Sequence, residues 1–166
     1  IGLVTGLAAM ASGCGRVFIS DTVRPKLELA RRFGMVPVDI SRENVAESVL
    51  SATGGWGADV IFEASGSAAA IKEFFKPLCP GGTVVFIGMP VEPVPLDIVA
   101  AQAKEARMES VFRYAHQYPR ALAMAGSGKV NLKPLVTDRF SFVDSVKAFE
   151  YAAAPAPRTV KTVIEL

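Results

Sequence analysis

The first residues of the chain have the spacing of a dinucleotide-binding unit. Ile1-Gly2 has the form of the end of a glycine-rich phosphate loop, and Asp21 ends the strand-like run that begins at Arg16. The acid follows Gly2 by about 20 residues, as in a βαβ unit whose last glycine lets a helix pack closely on the sheet. A carboxylate at this position accepts hydrogen bonds from an adenine ribose and repels a 2′-phosphate. The sequence therefore predicts a dinucleotide site that favours NAD over NADP, with the start of the phosphate loop lying outside the chain.

Two further turns could contact such a cofactor. Phe86-Ile87-Gly88-Met89 and Ala64-Ser65-Gly66 both follow apolar runs of the length of buried strands. Ligands of open α/β sheets bind beyond the carboxyl ends of the strands, and Gly88 would let the main chain approach a flat ring. A plain turn before Pro90 explains the first run equally well, and the second run carries the same ambiguity.

Short apolar runs alternate with amphipathic segments through the first two thirds of the chain. The expected strands are 17–20, 36–38, 59–64, 83–87 and 108–112, the fourth of them after a Pro80-Gly81-Gly82 turn. The expected helices are 24–33, 44–52, 68–76 and 96–104, preceded by one within the uncharged residues 1–15. Apolar strands such as Val60-Ile61-Phe62 are typical of a parallel sheet covered on both faces. The sequence therefore predicts an α/β fold, a Rossmann-like doubly wound parallel sheet lacking its first strand.

The alternation changes at about Arg113. A helix over 117–125, an extended stretch centred on Pro134 that leads into 140–142, a helix over 143–153 and a strand over 159–166 are expected there. We therefore predict an N-terminally truncated NAD-binding domain over residues 1–112. Residues 113–166 are predicted to be a C-terminal segment that packs on a catalytic domain outside the chain.

Composition excludes several classes of function. The net charge is +2 and the basic residues are scattered, so a nucleic-acid partner is not expected. The uncharged first residues are too short and too rich in glycine and alanine to span a membrane. The single histidine and the two cysteines lack the spacing of metal ligands, and no catalytic Ser/His/Asp set is evident. Cys14 and Cys79 are expected to be buried, reduced thiols of a cytoplasmic protein.

Three runs resemble those of the zinc-dependent medium-chain alcohol dehydrogenases, most closely the sorbitol/xylitol (polyol) dehydrogenase branch. They are Val111-Phe112-Arg113-Tyr114, Tyr118-Pro119, and Lys133-Pro134-Leu135-Val136-Thr137 with Arg139-Phe140. The resemblance extends over the whole chain. In such enzymes the phosphate loop reads G-x-G-P-I-G, so Ile1-Gly2 resembles its last two positions.

The resemblance implies roles for individual residues. Ile1 and Gly2 would contact the pyrophosphate, and Asp21 and Lys26 the adenine ribose. The residues that would line the two sides of the nicotinamide are Ile87, Gly88, Met89, Val111, Phe112 and Arg113. Arg113 and Tyr114 would also face the substrate hydroxyls, a task that suits the fixed fork of donors of a guanidinium group. The alternative for this pair is a surface arginine beside a packed tyrosine.

The activity implied by the resemblance is zinc-assisted hydride transfer between NAD and a polyol, with sorbitol or xylitol giving a ketose. The zinc ligands of such enzymes lie in an N-terminal domain, so zinc belongs to the full-length enzyme and this chain holds no catalytic residue. We expect a homo-oligomer that pairs through strand 108–112, and an inactive fragment. Two alternatives stay open: another medium-chain member, such as a threonine-type dehydrogenase or a quinone reductase, and a non-catalytic nucleotide-binding module.

Overall fold

A computed structural model describes residues 1–166 as alternating helices and short parallel strands. The helices are α1 (Gly2–Ala11), α2 (Arg24–Arg32), α3 (Val45–Ala52), α4 (Ala68–Glu73), α5 (Ile98–Ala103), α6 (Tyr118–Gly126) and α7 (Ser145–Ala153). The strands are β1 (Phe18–Asp21), β2 (Val36–Asp39), β3 (Ala58–Glu63), β4 (Leu78–Phe86), β5 (Arg107–Ser110), β6 (Val136–Ser141) and β7 (Lys161–Glu165). None of the helices is long and apolar enough to cross a membrane.

Local sequence signals fix where several helices begin. The side chain of Asn44 accepts hydrogen bonds from the first N–H groups of α3, at Ala46 and Glu47. Asp97 does the same for Ala100 at the start of α5. Pro25 lies in the first turn of α2, where its missing N–H leaves no hydrogen bond unmade. These signals explain why the observed helix starts lie close to the predicted ones.

The strands form three parallel groups, β1-β2, β3-β4-β5 and β6-β7. β1 pairs on one side only, with β2, and β3 likewise pairs only with β4. The doubly wound fold has the strand order 3-2-1-4-5-6. In that order β2-β1 corresponds to strands 3-2 and β3-β4-β5 to strands 4-5-6, which flank the first strand on its two sides. The prediction of an α/β fold with a parallel sheet lacking its first strand is therefore confirmed.

Two apolar clusters hold the chain together. One contains Ile71, Phe74, Phe75, Leu78, Val84 and Ala101, and so joins α4 and α5 to β4. The other contains Leu3, Leu7, Ala30, Met35, Val130 and Leu135. This second cluster anchors α1 and α2, and it includes two residues from beyond α6. The chain after α6 is therefore partly packed on the same core as the first helix.

Two local predictions of burial are wrong. Val60 and Phe62 of β3 are 42% and 41% exposed, because nothing in this chain covers the face of the sheet that they share. Cys14 is exposed, since it follows the end of α1 and faces no packed element, whereas Cys79 is buried as predicted. Burial next to Asp59 raises the pKa of the Cys79 thiol, which keeps it protonated.

Several element boundaries also differ from the prediction. β4 begins at Leu78, because the Pro80–Gly82 run forms an irregularity inside the strand and not a turn before it. Pro134 lies in a short 3₁₀ turn, which suits its fixed φ, and the extended chain begins only at Val136. β5 ends at Ser110, so Val111 and Phe112 lie beyond the strand.

Candidate functional site

The carboxyl ends of β3, β4 and β5 meet at one rim of the sheet. Glu63, Phe86 and Ser110 are partners in the parallel register, so the residues that follow them emerge side by side. The N–H groups of Ile87 and Gly88 both donate to the carbonyl oxygen of Glu63, each at 2.8 Å. The N–H group of Val111 donates to the carbonyl of Phe86 at 2.9 Å. The structure thus brings together the turn at 87–89 and the start of the 111–113 run, as the assigned roles require.

The turn at 64–67 and the turn at 87–89 touch through two glycines. A Cβ at Gly88 would lie 2.2 Å from the nitrogen of Gly66 and 2.6 Å from Oε2 of Glu63. A Cβ at Gly66, which has a φ of +68°, would lie 2.8 Å from the carbonyl oxygen of Met89. Neither position has room for a side chain, so the two turns form one compact surface at the rim.

Glu63 is a functional candidate that the sequence analysis did not identify. Its side chain is 5% exposed and accepts hydrogen bonds from the Ser65 N–H at 2.9 Å, the Ser65 hydroxyl and the Gly66 N–H at 3.1 Å. The signal in the sequence was an acidic residue that ends an apolar run, Val60–Glu63. A buried carboxylate needs partners, and here the following turn supplies them.

Asp21 lies at the carboxyl end of β1, with Asp39 as its partner in the register. Its Oδ1 accepts a hydrogen bond from the N–H of Val23 at 2.8 Å, which fixes the direction of the carboxylate. The Asp39 carboxyl accepts hydrogen bonds from the hydroxyl and N–H of Ser41, and these hold its pKa below the ordinary value. Two oriented carboxylates therefore lie at the carboxyl end of the β1-β2 pair.

The other residues assigned to the adenine and pyrophosphate lie at two helix starts. Gly2 opens α1, and Ile1 precedes it with 78% exposure; its carbonyl accepts the Thr5 N–H at 3.0 Å. α1 has no side-chain cap, so the N–H groups of its first turn point out of the helix without a side-chain partner. Lys26 is half-buried in the first turn of α2.

The spacing predicts close packing of α1 at Gly2. In the structure the tightest approach of this helix to its neighbours is at Gly6. A Cβ at Gly6 would lie 2.8 Å from Sδ of Met35, whereas at Gly2 it would make an ordinary 3.9 Å contact with Ile19. The same Cβ at Gly6 would also lie 3.4 Å from Cγ1 of Val17, just before β1.

Residues 112–114 extend into solvent. Phe112 is 71% exposed and Tyr114 is 60% exposed. The Arg113 guanidinium lies over the Phe112 ring at 4.8 Å, and the Tyr114 and Tyr118 rings pack edge to face at 5.3 Å. Within this chain, Arg113 and Tyr114 contact aromatic neighbours, Phe112 and Tyr118.

A second polar cluster lies between β6, α7 and β7. Asp138 is 9% exposed and accepts hydrogen bonds from the hydroxyls of Thr137 and Tyr151, and Arg158 lies 3.2 Å from it. The Thr137 hydroxyl above all, with Tyr151 and Thr159, holds the pKa of this carboxyl below its ordinary value despite the opposing effect of burial. The cluster joins β6 to α7 through Tyr151 and to β7 through the Thr137 hydroxyl and the Lys161 carbonyl.

No three His, Cys, Asp or Glu side chains lie together as metal ligands. The residues of this chain therefore do not fit a zinc site. By contrast, the chain offers an oriented carboxylate at the end of β1, a helix start without a side-chain cap and glycine-lined turns at the rim, groups that suit the ribose, phosphate and ring of a dinucleotide.

Comparison with known proteins identifies the family. The family described as zinc-binding dehydrogenase matches residues 1–127. This chain belongs to the zinc-binding dehydrogenase family. A Rhizobium meliloti protein, provisionally named a D-xylulose reductase, is 49% identical over 100% of this chain and 48% of its own length. The D-xylulose reductase of Morganella morganii is 43% identical over 93% of this chain and 46% of its own length.

A solved structure from Sinorhizobium meliloti 1021, with bound NADP, is 26% identical to this chain. It superposes with a TM-score of 0.90 over 100% of this chain and 49% of that chain. The chain thus spans about half the length of the relatives that it matches. The resemblance to zinc-dependent medium-chain dehydrogenases is confirmed at the level of the family.

Proposed function

We infer that this chain is the cofactor-binding part of an oxidoreductase that transfers hydride between NAD and a polyol. The observation that carries the proposal is the rim, where Asp21 lies at the end of β1 and the glycine-lined turns at 64–67 and 87–89 meet at the ends of β3 and β4. The names of the similar D-xylulose reductases support a sugar-type substrate, since reduction of a ketose gives a polyol.

In this proposal each group at the rim binds one part of the cofactor. Asp21 accepts hydrogen bonds from the adenine ribose, with Lys26 beside it, and Ile1 and Gly2 contact the pyrophosphate through the start of α1. The second set lines the nicotinamide and consists of Ile87, Gly88, Met89, Val111, Phe112 and Arg113. NAD, when bound, accepts the hydride, and these residues orient its ring and exclude water from it.

The choice of NAD over NADP rests on Asp21. Its carboxylate is fixed by the Val23 N–H and would face a 2′-phosphate at close range. The nearby Arg24 lies 3.6 Å from Glu28 on an exposed surface, so this ion pair is weak and leaves the arginine free to move. The bound NADP of the Sinorhizobium structure makes NADP the direct competitor in any test.

We further propose that residues 1–112 are the NAD-binding domain and that 113–166 pack on a catalytic domain outside these residues. Val146 and Phe149 on α7, with Phe142 just before it, are 69%, 73% and 62% exposed. Their spacing places them on one face of the helix, and such an apolar face is typical of a docking surface. Arg113 and Tyr114 would gain their substrate contacts at that boundary.

Zinc, as implied by the family, is proposed to bind outside this chain. Self-association through β5 stays a prediction, and the exposed side chains of this strand are compatible with pairing to a second copy of the chain. A cytoplasmic location also stays a prediction.

The test is oxidation of xylitol and sorbitol by the full-length protein with NAD or NADP, followed through the absorbance of the reduced cofactor. We expect NAD-dependent oxidation that a chelator abolishes and Zn²⁺ restores. Full activity on simple primary alcohols with none on polyols, or a strict requirement for NADP, would contradict the proposal.

A further inference from the structure

We propose that Glu63 is the positioning residue for the nicotinamide end of the cofactor site. It joins the turn at 64–67 to the turn at 87–89, and both flank the place assigned to the ring. The inference rests on the proposed function, because the ring is assigned to this rim there. Glu63 is not proposed to touch the substrate.

The main chain of Glu63 holds the second turn. One carbonyl oxygen accepts the N–H groups of both Ile87 and Gly88. These two hydrogen bonds continue the ladder between β3 and β4 by one residue. They therefore fix the direction in which the chain leaves β4. Any movement of the backbone at Glu63 is therefore transmitted directly to Gly88.

The side chain of Glu63 holds the first turn. All of its partners are donors on the two residues that follow Ala64, namely the Ser65 N–H, the Ser65 hydroxyl and the Gly66 N–H. The Ser65 hydroxyl also accepts the N–H of Ser67 at 3.0 Å, just before α4. The carboxylate thus organises the turn from the end of β3 to the start of the next helix.

Burying a carboxylate at a position of this kind carries a large desolvation free energy. None of the ion pairs in the chain involves Glu63, so its charge is balanced only by neutral donors. A carboxylate only accepts hydrogen bonds, and both oxygens contact the N–H of Gly66 at 3.1 Å. A glutamine could keep its carbonyl oxygen on the Ser65 and Gly66 donors, but its NH₂ group would then face the Gly66 N–H at 3.1 Å, so the same shape without the charge weakens the turn.

The contact between the glycines makes the two halves one unit. Gly88 lies against both the Glu63 carboxylate and the Gly66 nitrogen, with no space for a Cβ. Displacing the carboxylate therefore changes the distance between the two turns, and with it the slot for a flat ring. The adenine end at Asp21, on another strand pair, is not part of this arrangement.

The experiment compares E63Q with E73Q in the full-length protein. Glu73 is a matched control, because it lies at the end of α4 with a 60% exposed side chain paired to Lys76. The dissociation constants of ADP-ribose, which lacks the nicotinamide, and of NADH are measured by calorimetry, and kcat with a polyol is measured alongside. We expect E63Q to bind ADP-ribose within about two-fold of wild type and NADH about ten-fold more weakly, with kcat reduced about 100-fold. E73Q should match wild type.

Equal effects on ADP-ribose and NADH, or no effect on either, would overturn the positioning role. Wild-type protein that binds neither ligand would overturn the proposed function itself, and this inference with it. If E63Q does not fold, the same binding measurements are made on S65A. This variant removes only the hydroxyl that joins Glu63 to the Ser67 N–H. A selective loss of NADH binding of about three-fold in S65A supports the proposal, and unchanged NADH binding overturns it.

Discussion

Replacing Gly88 by alanine should force apart the two turns at the rim. The added Cβ would lie 2.2 Å from the Gly66 nitrogen, whereas ordinary contacts begin at 3.4 Å. Two of the three nearest atoms are main-chain nitrogens, those of Gly66 and Ser65, so a rotamer change of the third neighbour, Glu63, cannot relieve the contact and the turns must separate by roughly 1 Å. Overpacking of this kind costs about 1–3 kcal/mol of unfolding free energy. The same displacement at a reacting ring lowers the rate about 100-fold.

The assay is urea unfolding of the full-length G88A protein together with kcat for polyol oxidation. The φ of Gly88 lies outside the left-handed region, so alanine tests space alone and not backbone conformation. Gly15 is the matched control, because it is likewise outside that region and a Cβ there would meet nothing within 4 Å. G15A should change the unfolding free energy by no more than about 0.5 kcal/mol.

The reasoning is refuted if G88A is as stable as G15A and retains kcat within about two-fold of wild type. Such a result would mean that the two turns separate without cost. The slot between them would then have no role in holding the ring. A loss of stability without a loss of kcat would place the contact in the fold and not in the site.

Three further predictions concern other parts of the chain. D21A should weaken NADH binding about ten-fold and bring the NADPH affinity closer to that for NADH, as titrations of both will show; an unchanged ratio would contradict the role of Asp21. Because the pKa of Asp138 is lowered in the folded state, its stabilisation is present above the unfolded pKa and is lost as the pH falls through the folded one. Y151F should therefore be about 1 kcal/mol less stable at neutral pH, with the difference shrinking below about pH 4 in pH-dependent urea unfolding; a constant difference would exclude the carboxylate as the cause. The isolated 166-residue chain, with β1 and β3 each open on one edge, should aggregate in light scattering and show no dehydrogenase activity, and cooperative unfolding of an active monomer would contradict this.

The sequence was sufficient to predict the alternation of elements and the rim. Strand runs such as 36–38 and helix starts such as Asn44 depend on local periodicity and capping, which a single sequence displays. The residues after each strand then meet at one rim, because parallel strands share a direction. The 87–89 turn could therefore be predicted at this rim from its place after an apolar run, whereas the 111–113 run was assigned to the same site only through the resemblance to the dehydrogenase family.

Features that depend on contacts between distant segments could not be predicted. Glu63 looks like the polar end of a buried strand, and only the fold shows that the next turn closes over its carboxylate. The tight approach of α1 at Gly6 depends on Met35, which comes much later in the chain, after α2. The exposure of Val60 and Phe62 likewise depends on what covers a sheet face, which periodicity does not encode.

The most direct test of the account is a crystal structure of the full-length protein with NADH. We predict that the adenine ribose hydroxyls donate to the Asp21 carboxylate at about 2.7 Å, with the nicotinamide against the 87–89 turn. A dinucleotide bound away from the carboxyl ends of β1 and β4, or one whose ribose does not contact Asp21, would contradict the account.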